Sequence, residues 1–241
     1  MQTTLAGFRE TQSQEPFALQ NSKMLKVRLA AVTIRARLGS MVAYQGEVTF
    51  EHAGSGGMSR MLKKAVTGEG ADLMKITGSG EVFLAEQAQD VHLIHLDDDK
   101  ITCNGRNVLA FDAGIEWDIE RVQGGSGVMA GGGLYNMALS GTGWVAILSD
   151  GPPVLLNVGA APTFADAEAA ITWSSGVTQS VRTDFKMKNL VGRGSGETIQ
   201  LAFAGQGWVL VQPSEGQVTS GENGGSSSSN ASGMLGNLLG G

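Results

Sequence analysis

Cysteine is all but missing from this chain of 241 residues, where Cys103 stands alone. An intrachain disulfide is therefore excluded, and the fold must hold by packing and hydrogen bonding, as suits a reducing compartment. Histidine is nearly as scarce, at three residues, so catalytic bases and metal ligands are in short supply. No apolar run approaches the roughly 20 residues that a membrane-spanning helix needs. The stretch from Met1 to Lys26 lacks the apolar core of a secretory signal and carries Arg9, Glu10 and Glu15. Basic charge is short as well, since 17 Lys and Arg face 23 Asp and Glu for a net charge of −6. That balance speaks against a nucleic-acid duplex or an anionic bilayer as the default partner. The expected address is cytoplasmic, with peripheral membrane association as the variant to consider.

What the chain has in excess is glycine, 36 residues in clusters, the punctuation that short strands and tight turns require. One glycine pattern occurs three times: Gly78-Ser79-Gly80, Gly141-Thr142-Gly143 and Gly205-Gln206-Gly207. The second glycines stand at 80, 143 and 207, spacings of 63 and 64. Alternating apolar residues lead into each copy (Met74 and Ile76, Met137 and Leu139, Leu201 and Phe203), and a short apolar run follows each. Period-two residues on both sides of Gly-X-Gly predict a β-hairpin whose glycines take positive φ. The expected fold is all-β, with three units of about 64 residues building a β-sandwich or double-stranded β-helix-like domain. Leu29 to Tyr44 and Val158 to Trp173 are both 15 positions, which aligns those aromatics. Trp117 is the apparent counterpart in the middle unit, with six extra residues before it. Aromatics repeated in this way are expected in the core.

Three regions follow from composition. Residues 1–23 read as an arm or edge strand, 24–213 as the repeated β domain, and 214–241 as a flexible Gly/Ser-rich tail. The tail ends in an apolar tip with Met234, Leu235, Leu238 and Leu239, either unselected terminal sequence or a short anchor. One short helix is expected near 59–67, capped by Ser59, with Arg60, Lys63 and Lys64 on its outer side. Those cations make either a solvated face or a dock for an acidic partner or lipid headgroups.

Catalytic signatures fail on context. Gly125-Ser126-Gly127-Val128-Met129-Ala130 matches a dinucleotide string, but more glycines and a strand follow where a helix must. There is no Walker A string and no Gly-X-Ser-X-Gly elbow. His92 and His95 are three apart in a predicted strand, so their side chains point to opposite faces and do not share an ion. Asp97-Asp98-Asp99-Lys100 reads as a turn. No catalytic, cofactor or metal site is expected. Glu116, Asp118 and Glu120 around Trp117 also disfavour a base-stacking platform.

Gly39-Ser40-Met41-Val42-Ala43-Tyr44-Gln45-Gly46-Glu47-Val48, and the stretch from Gly56-Gly57-Met58 to Gly68-Glu69, resemble the signature of the altered-inheritance-of-mitochondria 24 family. Gly196-Glu197 before the third glycine pair fits the same pattern, and the resemblance spans Leu19 to Pro213. It implies a β fold similar to the tryptophan-RNA-binding attenuation protein superfamily, commonly assembled as homo-oligomers. Mitochondrial relatives are associated with inner-membrane organisation, and the family brings no catalytic residues. The functional expectation is a non-enzymatic, homo-oligomeric β scaffold that binds a protein or membrane-surface partner. The alternative is a small-ligand binder with its site between units or subunits.

Overall fold

The computed structural model describes residues 4–30, 32–52, 73–122, 135–181 and 200–214. The predicted helix near 59–67 and the tail beyond 214 lie outside them. The described chain is nearly all strand. Its only helical pieces are two single turns, Leu5–Phe8 and Gly105–Asn107.

The strands fall into three successive segments. The first holds β2 (Met24–Ala30), β3 (Ile34–Arg37), β4 (Met41–His52) and β5 (Leu73–Leu84), preceded by β1 (Phe17–Asn21). The second holds β6 (Asp90–Cys103), β7 (Val108–Asp112), β8 (Glu116–Arg121) and β9 (Tyr135–Ser149). The third holds β10 (Val154–Asn157), β11 (Thr163–Asp166), β12 (Ala170–Ser174), β13 (Val177–Val181), β14 (Gln200–Gly205) and β15 (Trp208–Val211).

The Gly-X-Gly motifs are not hairpin turns. In β5 and β9 a single strand runs straight through the motif. In the third segment β14 ends at the first motif glycine and β15 begins just after the second, and the two belong to different sheets. All six motif glycines have positive φ, as expected, yet the positive φ serves a bend inside a strand. Gly80 shows why no side chain fits: a Cβ there would stand 2.0 Å from the Gln45 carbonyl oxygen of the adjacent strand.

Because of the bend, each motif strand pairs with different neighbours before and after its glycines. In segment one, the start of β5 lies between β3 and the end of β4, and its later part lies between β2 and the start of β4. In segment two, the start of β9 lies between the end of β6 and β8, and its later part between the start of β6 and β7. In segment three, β14 lies between β11 and β13, and β15 between β10 and β12. All these pairs are antiparallel. The strand beside the later part also bulges at the same place each time: between Met41 and Ala43, Val108 and Ala110, and Ala170 and Thr172.

This pairing corrects the aromatic alignment. Tyr44, Phe111 and Trp173 face Val82, Val145 and Val209, each two residues after the second glycine. Phe111, not Trp117, is therefore the middle counterpart. Leu96 to Phe111 is again 15 positions, so no extra residues precede it. Trp117 lies on β8 opposite Leu139. Asp97-Asp98 is likewise no turn: β6 continues through it with a register shift between Leu96 and Asp99. Asp98 has φ 50 there, and its N–H donates to Thr142 Oγ1 at 2.9 Å. Asp and Asn tolerate that left-handed conformation better than most side chains.

Segments join by strand pairing. β3 pairs with β7, setting Ile34 opposite Asp112, Arg35 opposite Phe111 and Ala36 opposite Ala110. The end of β6 pairs with β12, setting Ile101 opposite Ser174, Thr102 opposite Trp173 and Cys103 opposite Thr172. Arg37 reinforces the first joint, donating through Nη2 to the carbonyls of Gly105 and Val108 and to that of Arg106. Burial holds its guanidinium below the ordinary arginine value, with Glu86 opposing the shift. The core follows the same joints. The first apolar cluster adds Val91, Leu109 and Leu148 to segment-one residues, and the second takes in Leu73 and Ile171 from its neighbours.

Candidate interaction surface

Among the described residues six strands pair on one side only, β1, β4, β8, β10, β11 and β13; β4 and β11 are the two whose counterparts pair at the joints. The start of β4, Met41 to Gly46, is the counterpart of β7 and β12, but its outer edge has no strand beside it among the described residues. β11 is the counterpart of β3 and the end of β6, and among the described residues it pairs with β14. An unpaired edge presents a row of backbone donors and acceptors that another strand can take up.

The side chains at these edges are out of keeping with their counterparts. Met41, Val42 and Tyr44 are 36%, 52% and 49% exposed. The matching residues of β7 (Val108, Leu109, Phe111) and β12 (Ala170, Ile171, Trp173) are all buried. Tyr44 was expected in the core with Trp173; Trp173 is there, packed edge-on to Phe203 at 5.4 Å between ring centroids. Tyr44 instead lies half exposed against Phe50 at 5.3 Å. On β11, Phe164 is 47% exposed. Sequence reasoning missed Phe164. Its signal is an aromatic in a four-residue strand, in the place held by Arg35 and Thr102 in the other segments.

The sheet that ends at β4 is covered on part of one face by residues 9–15. Gln45 Nε2 donates to Glu10 Oε1 at 2.6 Å, and Arg28 Nη1 to Gln14 Oε1 at 2.8 Å. Beneath this cover lies Lys26, almost fully buried, paired with Glu81 at 2.8 Å and Glu10 at 3.6 Å. Its ammonium also donates to the Thr11 carbonyl at 3.1 Å and sits 5.9 Å from the Phe83 ring centroid. A buried ammonium needs such partners, because desolvation without them is costly.

Of the expected site residues, Arg60, Lys63, Lys64, Met234, Leu235, Leu238 and Leu239 lie outside the described residues. Gly78, Gly80, Gly141, Gly143, Gly205 and Gly207 sit at the three strand bends and touch neither open edge strand except at Gly80 and Gly78, which lie against β4. His92 Nε2 is 2.8 Å from Ser149 Oγ, and His95 packs edge-on to Trp144 at 4.9 Å, so the two rings have separate surroundings. Burial holds His92 below the ordinary histidine value, against the pull of Asp90. Among the described residues, no group of three or more His, Cys, Asp or Glu side chains could hold a metal ion. Cys103 is fully buried, and burial pushes its thiol up to about 12, despite a hydrogen bond to Thr172 Oγ1 at 3.2 Å.

A cleft of about 660 Å³ opens between segments one and two, lined by Arg35, Lys100, the Gly114-Ile115 turn, Trp117, Asp118 and Glu120. Lys100 is committed to Glu120 at 2.9 Å. Arg35 Nε is buried without a hydrogen-bond partner. Its polar walls contrast with the apolar edges.

The fold is similar to that of protein SPYM3_0169 from Streptococcus pyogenes, known from an X-ray crystal structure. The TM-score is 0.65 at 20% identity, over 81% of this chain and 91% of that one. No curated protein matches the chain. The family model described as mitochondrial biogenesis AIM24 matches residues 17–214, which takes in every strand from β1 to β15. The chain is therefore a member of the AIM24 family.

Proposed function

We propose that this protein is a non-enzymatic β scaffold that self-associates and presents its surface to a protein or membrane partner. One observation carries the reading: side chains buried in two segments are exposed in the third copy of the same strand position. Exposed apolar residues along an unpaired edge favour association, because pairing removes them from water and satisfies the backbone at once. Light scattering on the full-length chain and on a chain lacking residues 214–241 tests it at matched micromolar concentrations. Both should exceed the mass of the 25.0 kDa single chain. Two monomers would overturn the reading, and a monomer only after truncation would assign assembly to the tail.

The cleft beside Arg35 supports a second reading, a binder of a small polar ligand between segments one and two. Its lining sets Arg35 and Lys100 among the carboxylates of Glu116, Asp118 and Glu120 and beside Trp117, a polar and aromatic wall suited to a small polar ligand. A calorimetric screen of small polar metabolites should find a binder that Trp117→Ala weakens, and a screen with no binder would overturn this reading.

A further inference from the structure

One face of the sheet in segment one carries Lys26, Arg28, Gln45, Glu81 and Phe83. Lys26 stands opposite Phe83, and Arg28 and Gln45 both stand opposite Glu81. The other segments repeat these places. Leu93 and Leu155 are the counterparts of Lys26, since they face Ala146 and Leu210, which like Phe83 come three residues after the second glycine. Trp144 and Trp208 are the counterparts of Glu81, one residue after that glycine. In segments two and three this face packs on the segment before it. Leu93 and Trp144 lie against the first apolar cluster, drawn mostly from segment one. Trp208 and Leu210 lie against the second, drawn mostly from segment two. In segment one residues 9–15 cover the face instead, and Lys26 and Glu81 stand where the others have Leu and Trp.

The cover and the face beneath it differ in firmness. None of residues 9–15 is buried, so the cover has no apolar anchor. It is held by polar contacts: Glu10 to Lys26 and Gln45, the Thr11 carbonyl to Lys26, Gln14 to Arg28, and the Arg9 carbonyl and Thr11 N–H to Gln20. Each such bond adds little, because water can replace it on both partners. Lys26 and Phe83 are buried, by contrast, and Lys26 is fixed by Glu81 at 2.8 Å. We infer that this face is a docking site for an extended acidic segment of another protein, and that residues 10–15 occupy it in cis. The resident segment shows the chemistry. From Glu10 to Pro16 it has two carboxylates and no cation, and Glu10 sets one of them on Lys26. Its match is incomplete at Arg28, whose Nη1 donates to the neutral amide oxygen of Gln14. A carboxylate in that place makes a stronger, charge-assisted pair. A partner with an acid at both places therefore displaces the cover, against the advantage the cover draws from its tether. This rests on the partner-binding part of the proposed function and adds the surface and the chemistry of the partner.

Two labelled peptides test this by fluorescence anisotropy against the full chain: residues 8–16, and the same peptide with Gln14→Glu. The second should bind tighter than the first, by roughly fivefold. In full-length Glu10→Lys the cover is repelled by Lys26, so both peptides should bind roughly tenfold tighter than to wild type. Lys26 should also become reactive toward an acetylating reagent, read by mass spectrometry. Adding Arg28→Gln should erase the difference between the two peptides, a coupling that a merely structural Arg28 would not produce. Lys26 reactive but no peptide bound would overturn the docking site. So would Lys26 still protected in Glu10→Lys, because the cover would then be a fixed part of the fold. A peptide carrying Glu10→Lys that binds as well as the first would overturn the acidic assignment. Phosphatidylglycerol vesicles that bind where the peptides do not would give the face to a lipid surface and overturn the peptide partner. Should Glu10→Lys lose the wild-type circular dichroism, Gln14→Ala with Gln45→Ala loosens the same cover without new charge. Loss of the fold there too would make the cover indispensable and overturn its displacement. Light scattering keeps the readings apart. Wild-type multimers that fall to one chain in Glu10→Lys would mean that copies exchange their covers, which overturns a separate partner. Multimers of unchanged mass without peptide binding overturn the docking site alone, and monomers that bind the peptides overturn self-association alone.

Discussion

β7 and the start of β4 are built alike and live differently. Both have a bulge at the same point, an apolar residue in the bulge and an aromatic two residues later. Phe111 and Leu109 of β7 are fully buried, whereas Tyr44 and Val42 of β4 are about half exposed. The difference does not come from local sequence pattern, which is shared. It comes from β3, which covers β7 on its outer side, while no described strand covers β4. Tertiary context thus decides whether the same strand is core or surface.

The comparison can be broken most severely at the bends. Gly80→Val places a Cβ against the Gln45 carbonyl of β4 at positive φ, so backbone must move. A loss of several kcal/mol is expected, on the order of 3 or more, against about 1–2 for Gly141→Ala, which meets no atom closer than 4.0 Å. Gly143→Val should fall between them, because it meets the Asp112 side chain, at 2.7 Å from Oδ2 and 3.0 Å from Cβ, rather than a backbone carbonyl at 2.0 Å. Thermal or denaturant unfolding ranks the three, and equal losses would show that crowding is irrelevant at these bends.

The next effect sharpens the contrast directly. Phe111→Ala removes a fully buried ring and should cost about 3–5 kcal/mol. Tyr44→Ala should cost a single chain roughly 1 kcal/mol or less, since half of that side chain is already in water. Its larger effect should appear as lost association at low concentration. Equal destabilisation in dilute protein would mean that Tyr44 is as much core as Phe111.

The smallest effect concerns Asp112, the counterpart of Gln45. Its Oδ2 accepts from the Trp144 N–H at 2.6 Å, yet burial dominates and raises its carboxyl above the ordinary value of 3.8, with the Trp144 bond and His95 opposing. An acid whose folded value is raised favours the folded state below about 3.8 and loses that contribution as pH climbs through the folded value. Asp112→Asn keeps an accepting oxygen and removes the charge. Its melting temperature should therefore exceed wild type at pH 7, with the gap closing as pH falls below about 3.8. A gap that is constant with pH would show that the carboxylate's charge is not what costs stability.

Much of this architecture was legible in the chain. The glycine motifs, their positive φ and the alternating strands around them followed from period-two patterning and the steric freedom of glycine. The hairpin reading failed because a bend inside a strand and a turn between strands demand the same glycines; only the partners on each side differ. Trp117 is not the middle aromatic, because it stands on the strand beside the start of β9, whereas Phe111, 15 residues after Leu96, stands on the strand beside its later part. The exposed edges were not legible at all. Tyr44 and Phe164 follow ordinary buried-strand patterns, and exposure depends on which strand arrives beside them, a fact of topology rather than of local pattern.

The bent strands have one more consequence. A molecule assembled from separable modules can shed or gain one during its history. Here β5 and β9 each pair with different strands before and after their glycines, and the core clusters cross the boundaries between segments. A cut after residue 84 or 149 would strip one side of a sheet from both fragments. The chain is therefore expected to melt in one cooperative transition and to resist division into thirds, unlike a solenoid whose repeats can be trimmed from an end.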